Sequence, residues 1–193
     1  MRVRARRAIL ALPILLSGLV TIVGLPAQAT PVPGATSLAS VHAVSSLTAA
    51  QPNTVVSLYR LWHRSTGHHF YTTSWAEAVN AFNNLGYTYE GVCCHVLSAD
   101  SAYGAPLYRL YRPANDDHFY TTNWAEAVNA FNNLGYRYEG IQAYVWTSGS
   151  TPLYRLYSPA NGDHFYTTSW AEAVNAFSNL GYRYEGIQAY VQP

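Results

Sequence analysis

Residues 153–168 read L-Y-R-L-Y-S-P-A-N-G-D-H-F-Y-T-T, and residues 169–191 continue S-W-A-E-A-V-N-A-F-S-N-L-G-Y-R-Y-E-G-I-Q-A-Y-V. The pattern occurs three times, at 58–96, 107–145 and 153–191, joined by connectors of ten and seven residues that carry Ser, Gly and Pro. Leu153 to Tyr157 is short and aromatic, as a strand should be. Pro159 to Asp163 is turn chemistry, and His164 to Thr168 predicts the second arm of a hairpin. Ser169 and Glu172 fit a capping box. Trp170, Ala173, Val174, Phe177 and Leu180 then recur at helical spacing. Gly181 suits a left-handed C-cap. Two further strands are expected, 182–185 and 187–191, split by Gly186.

Each unit thus reads β-β-α-β-β. A 39-residue unit has too little apolar surface to stand alone. The expected fold class is α+β, with the three repeats packed as one compact pseudo-three-fold domain over 54–193. A solenoid would leave uncapped ends, and β-trefoil units contain no helix.

The chain opens with Arg2, Arg4, Arg6 and Arg7, an apolar run and Ala27-Gln28-Ala29. This predicts a signal peptide over 1–29, hence a secreted protein with no membrane association after cleavage. Residues 30–53 hold no charged side chain and read as a flexible lead-in. Loss of the leader leaves seven arginines and no lysine against ten acidic residues, a net charge of −3. That balance disfavours nucleic acid and anionic membranes as partners. Cys93 and Cys94 are the only cysteines, which excludes a disulfide framework. A vicinal disulfide, two free thiols and an intermolecular bond all remain open.

The motif L-Y-R-L-Y-x-P-A-N-G-D-H-F-Y-T-T followed by G-Y-x-Y-E-G resembles a repeat of unknown function in secreted bacterial proteins, often appended to extracellular or cell-wall hydrolases. The resemblance covers 58–191. It implies an extracellular accessory module that binds glycan or cell envelope, and no catalytic mechanism. The first unit departs from the pattern: Trp62 stands for tyrosine, Arg64 for proline and His68 for the Asp117 and Asp163 of the other copies.

Several repeated side chains are candidates for ligand contact. Arg60, Arg109 and Arg155 offer planar donor forks among aromatics, although Glu90, Glu139 and Glu185 are available as internal partners. His69, His118 and His164 either pin their turns, beside Asp117 and Asp163, or donate to a ligand. As zinc ligands they would have to converge on one point, so no metal or cofactor is expected. Aromatic residues make up 15% of the chain, and tyrosine offers sugars both a stacking face and a hydroxyl. Tyr71, Tyr120 and Tyr166 are therefore included, although most tyrosines should be core. Trp75, Trp124 and Trp170 lie on the apolar stripe, where burial is expected.

Enzyme motifs such as G-x-S-x-G and H-E-x-x-H are absent from the sequence. Near-identical units would also not split carboxylate pKa values into acid and base. The sequence therefore predicts a non-enzymatic, carbohydrate-binding module with up to three shallow equivalent sites, and its leader and resemblance point to the cell wall. A structural or protein-interaction module of the envelope is the alternative, and a small hydrolase ranks below both.

Overall fold

The computed structural model describes residues 53–193; the expected leader and the lead-in up to residue 52 lie outside the described residues. The fold is mixed α and β, mostly strand. Element order is β1 (Val55–His63), β2 (His68–Thr72), α1 (Trp75–Asn84), β3 (Tyr87–Leu97), then β4 (Ala105–Arg112), β5 (Asp117–Thr121), α2 (Trp124–Asn133), β6 (Arg137–Val145), and β7 (Thr151–Tyr157), β8 (His164–Thr167), α3 (Trp170–Asn179), β9 (Arg183–Val191). Each unit is thus β-β-α-β. The two expected final strands are one, because Gly186, at φ 111°, stays paired opposite Arg155 inside β9.

What Gly186 marks is a bulge. Arg155 faces Gly186 while Leu156 faces Tyr184, so Glu185 is the extra residue. A second shift, between Leu153 and Tyr154, leaves Gln188 extra. β6 does the same with Glu139 and Gln142, and β3 with Glu90 and Cys93. Bulges re-aim side chains, and the glutamates and glutamines among these residues meet the arginine of their own first strand.

The strands form a sheet ordered β2-β1-β3-β6-β4-β5 and a three-stranded sheet β8-β7-β9. Single pairings tie the strand ends of different units: Leu97 with Tyr144, His95 with Gln192, and Trp146 with Tyr190. Inside lies one shared apolar cluster to which every unit contributes four buried residues: Leu58, Tyr71, Cys94 and Val96; Leu107, Tyr120, Ala143 and Val145; Leu153, Tyr166, Ala189 and Val191. Three private clusters sit under the helices, for example Leu61, Phe70, Ala78, Ala81 and Tyr87 under α1.

At the centre, Tyr71, Tyr120 and Tyr166 sit on the inner arms of the hairpins, 1–2% exposed. The Tyr71 hydroxyl donates to the Tyr166 carbonyl at 2.7 Å and accepts the Tyr166 N–H at 2.9 Å. Tyr166 does the same for Tyr120, and Tyr120 for Tyr71. The rings meet edge to face at 5.4–5.6 Å. Each hydroxyl thereby satisfies the outward main-chain groups of a hairpin's free edge, which would otherwise be buried unpaired.

Tyr166→Phe removes one hydroxyl and orphans a buried N–H and a buried carbonyl. It should lower stability by about 2–4 kcal/mol, read as an earlier midpoint in urea. A loss below about 0.5 kcal/mol would show that the tyrosine ring carries little.

Candidate functional site

The helices begin as the sequence predicts. Ser74 and Ser169 accept the N–H of Glu77 and Glu172, and Asn123 accepts those of Ala125 and Glu126. The capping box, however, is only half made. The carboxylates of Glu77, Glu126 and Glu172 turn away from their caps and accept from Thr72, Thr121 and Thr167 and from an arginine of another unit.

Those arginines build the junctions. Arg60 grips Glu172 with two bonds of 2.9 and 3.1 Å and holds Glu90 of its own unit at 2.9 Å. Arg109 grips Glu77 and Glu139 in the same way, and Arg155 grips Glu126 and Glu185. Each guanidinium also lies 5.4–5.7 Å from a phenylalanine ring of the same neighbour: Phe165, Phe70 and Phe119. Burial works against charge on Glu77, Glu126 and Glu172, yet the arginine bonds hold all three below the usual carboxylate range.

The histidines lie beside them. His69 Nδ1 meets Asp163 at 2.7 Å, and His164 Nδ1 meets Asp117 at 2.8 Å, again between units. Both aspartates are fully buried and also take a tyrosine hydroxyl, from Tyr182 and Tyr136. Burial would raise Asp163, but its bonds to His69 keep it lowered. The third copy of this pair is missing. His68 stands where the aspartate should be, and the buried Nδ1 atoms of His68 and His118 both lack a partner among the described residues. Burial, then the Arg109 charge, pushes His118 down to about 4. Asp116, held at φ +64°, takes over the hydroxyl of Tyr87 and adds that of Tyr111.

These positions correct the sequence-based site. Tyr71, Tyr120, Tyr166, Asp117 and Asp163 expose 0–2% of their surface and spend their polar atoms on the protein, so they offer a ligand nothing. Arg60, Arg109, Arg155, His69 and His164 bond across the junctions, and His118 sits in the same place without its aspartate. No group of three His, Cys, Asp or Glu able to hold a metal occurs among the described residues. Cys93 and Cys94 are free thiols. Grooves of about 420 and 370 Å³ do lie along two junctions, one beside His118 and Glu139, the other beside His69 and Glu90.

The exposed feature lies elsewhere. Trp75, Trp124 and Trp170, expected in the core, are 53%, 52% and 49% exposed. The reason is in the helix. Trp75, Val79 and Phe82 form one apolar stripe, but the buried residues are Ala78 and Ala81, on a face turned away by about 90° at 3.6 residues per turn. Alanines let the helix sit close to the hairpin and leave the bulky stripe outside. Trp75 rests on Tyr59 at 5.1 Å and Tyr89 at 5.5 Å. Trp124 repeats this with Tyr108 and Tyr138, and Trp170 with Tyr154 and Tyr184. Tyr89, Tyr138 and Tyr184 are themselves exposed. Beside Trp75, Val79, Phe82 and Tyr89 border a cleft of about 260 Å³. In unit three, Phe177 leans onto Trp170 at 6.1 Å. Repetition of W-x-x-x-x-x-x-F with Y-x-Y was the available signal; periodicity alone could not say which side of the stripe faces in.

Fold and surface together define a small mixed α and β domain that displays one aromatic cluster three times. The chain belongs to a family described as a domain of unknown function, DUF5648, whose match spans residues 57–192. Searches of curated proteins and of solved structures returned no match.

The unpartnered His118 makes stability pH-dependent. Its folded-state pKa lies below the ordinary 6.5, so the unfolded chain binds the proton first. Stability from this site should be present at neutral pH and be lost, by about 1–3 kcal/mol, as pH falls from about 6.5 to about 4. His68→Asp restores the third pair and should shrink the drop in melting temperature between pH 7.5 and 4.5. An unchanged drop would refute the assignment.

Proposed function

We propose that the protein is a secreted, non-enzymatic binding module that recognises carbohydrate of a cell envelope through three exposed aromatic platforms. One observation carries the reading: the same Trp–Tyr–Tyr cluster is left half in water three times. A helix stripe that could have been buried is instead displayed, and exposed apolar patches of this kind mark interaction sites. Sugars present C–H faces that stack on such rings, while exposed tyrosine hydroxyls supply hydrogen bonds. The closed order of junctions, unit one on three, three on two and two on one, supports reading the domain as pseudo-three-fold. One site of this kind binds weakly; joint engagement of a repetitive surface raises affinity by about 10²–10⁴. The leader sequence supports export, and the cell wall is the surface that the resemblance favours.

The apolar lining of the cleft beside Trp75 also favours a second occupant, a hydrophobic side chain of a protein partner.

A glycan array and pull-down with insoluble wall polysaccharide, using the chain from residue 30, test the proposal. Each single change, Trp75→Ala, Trp124→Ala or Trp170→Ala, should weaken binding about tenfold or more. The triple variant should abolish binding and keep its far-UV spectrum. Binding unaffected by the triple change, or no binding to any glycan, would contradict the reading; capture of a defined envelope protein instead would favour the second.

A further inference from the structure

At two junctions the protein supplies its own carboxamide to a fixed slot. Gln142, extruded by the bulge in β6, accepts from Arg109 Nη1 at 2.8 Å and donates from Nε2 to Thr73 Oγ1 of the neighbouring unit at 3.0 Å. Gln188 in β9 does the same with Arg155 at 2.9 Å and Thr122 at 3.0 Å. At the third junction the bulged residue is Cys93. Its side chain cannot bridge. Arg60 keeps its bonds to Glu172 and Glu90, so one Nη1 hydrogen that Arg109 and Arg155 spend on glutamine has no such partner among the described residues. A cavity of about 130 Å³ remains, lined by Arg60, Val92, Cys93, Thr168, Ser169 and Glu172 among others. Exposed Val92 and Ser169 form its rim.

We propose that this slot binds the acetamido group of an N-acyl amino sugar. The group carries the same pair as a glutamine amide, a carbonyl acceptor beside an N–H donor. Its carbonyl accepts a hydrogen bond from Arg60 Nη1, its N–H donates to Thr168 Oγ1, and its methyl lies against Cys93 and Val92. Ser169, on the rim, is the N-cap that directly precedes Trp170, so the sugar ring leaves the slot beside the start of α3. The inference rests on the carbohydrate reading for the sugar, but the amide slot itself does not. It also makes the junction at Arg60 and Cys93 the selective one, since the other two are filled by Gln142 and Gln188.

Cys93→Gln tests it by closing the slot with the residue that positions 142 and 188 already hold, so the variant should fold. Thr168→Val is a second probe that removes only the acceptor. Titrations with a trimer of N-acetylglucosamine and with cellotriose, cysteines kept reduced, should show a preference of about tenfold for the acetylated trimer, lost in both variants. Equal affinity of wild type and Cys93→Gln for the acetylated trimer overturns the proposal. N-methylacetamide alone, followed by amide shifts at Cys93 and Thr168, separates the two readings. Shifts in wild type only, with no saccharide bound, keep the slot and sink the platforms. No shift and no preference sinks the slot.

Discussion

Three buried tyrosine hydroxyls hold this domain closed. Each β-hairpin has one free edge, and at the centre of the domain that edge faces another hairpin rather than water. A buried N–H and carbonyl there would be prohibitive unpaired. A phenol at the right depth satisfies both at once, since its oxygen donates one bond and accepts another. Because the phenol comes from a different unit each time, no hairpin can be completed without its neighbours. The four-residue contribution of each unit to the shared core has the same consequence in apolar terms. A unit that carried this hairpin alone would expose both its edge and its share of the core.

Around that centre the junctions are built from bulges. In a regular strand Glu185 and Gln188, three positions apart, would lie on opposite faces; the two bulges bring both to Arg155. Two bonds to the carboxylate and a phenylalanine ring beside each guanidinium offset the cost of desolvating the Arg–Glu pair between units. The same design shows where the copies diverged. His68 removes a carboxylate that the junction between units one and two was built to hold, and Cys93 removes an amide at the junction between units one and three. Both losses fall in unit one. The first is partly compensated by Asp116, whereas the second leaves open space.

Much of the element order was legible in residues 153–191. Turn residues, the N-cap serine and the C-cap glycine are local chemistry, and they sit where the sequence placed them. What the sequence misread is non-local. Gly186 looks like a strand break and is a bulge, because only the partner strand reveals the extra residue. Glu172 looks like half of a capping box, yet an arginine 112 positions away claims it. Arg, His and Tyr repeated three times, with Asp repeated twice, look like a ligand site, and they bond across the junctions between units. Repetition reports any contact that recurs, inside or outside. The tryptophans carry the opposite lesson: an apolar stripe identifies a helix but not its buried face, which small alanines decided.

Native-state hydrogen exchange of the Tyr71, Tyr120 and Tyr166 amides is the most direct measurement, since each of these N–H groups donates to another unit's hydroxyl. If the ring closes the domain, all three amides exchange with one common opening free energy equal to that of global unfolding. Three different rates, with one amide exchanging through a small local opening, would mean that the units stand on their own and that the tyrosine ring does not hold them together.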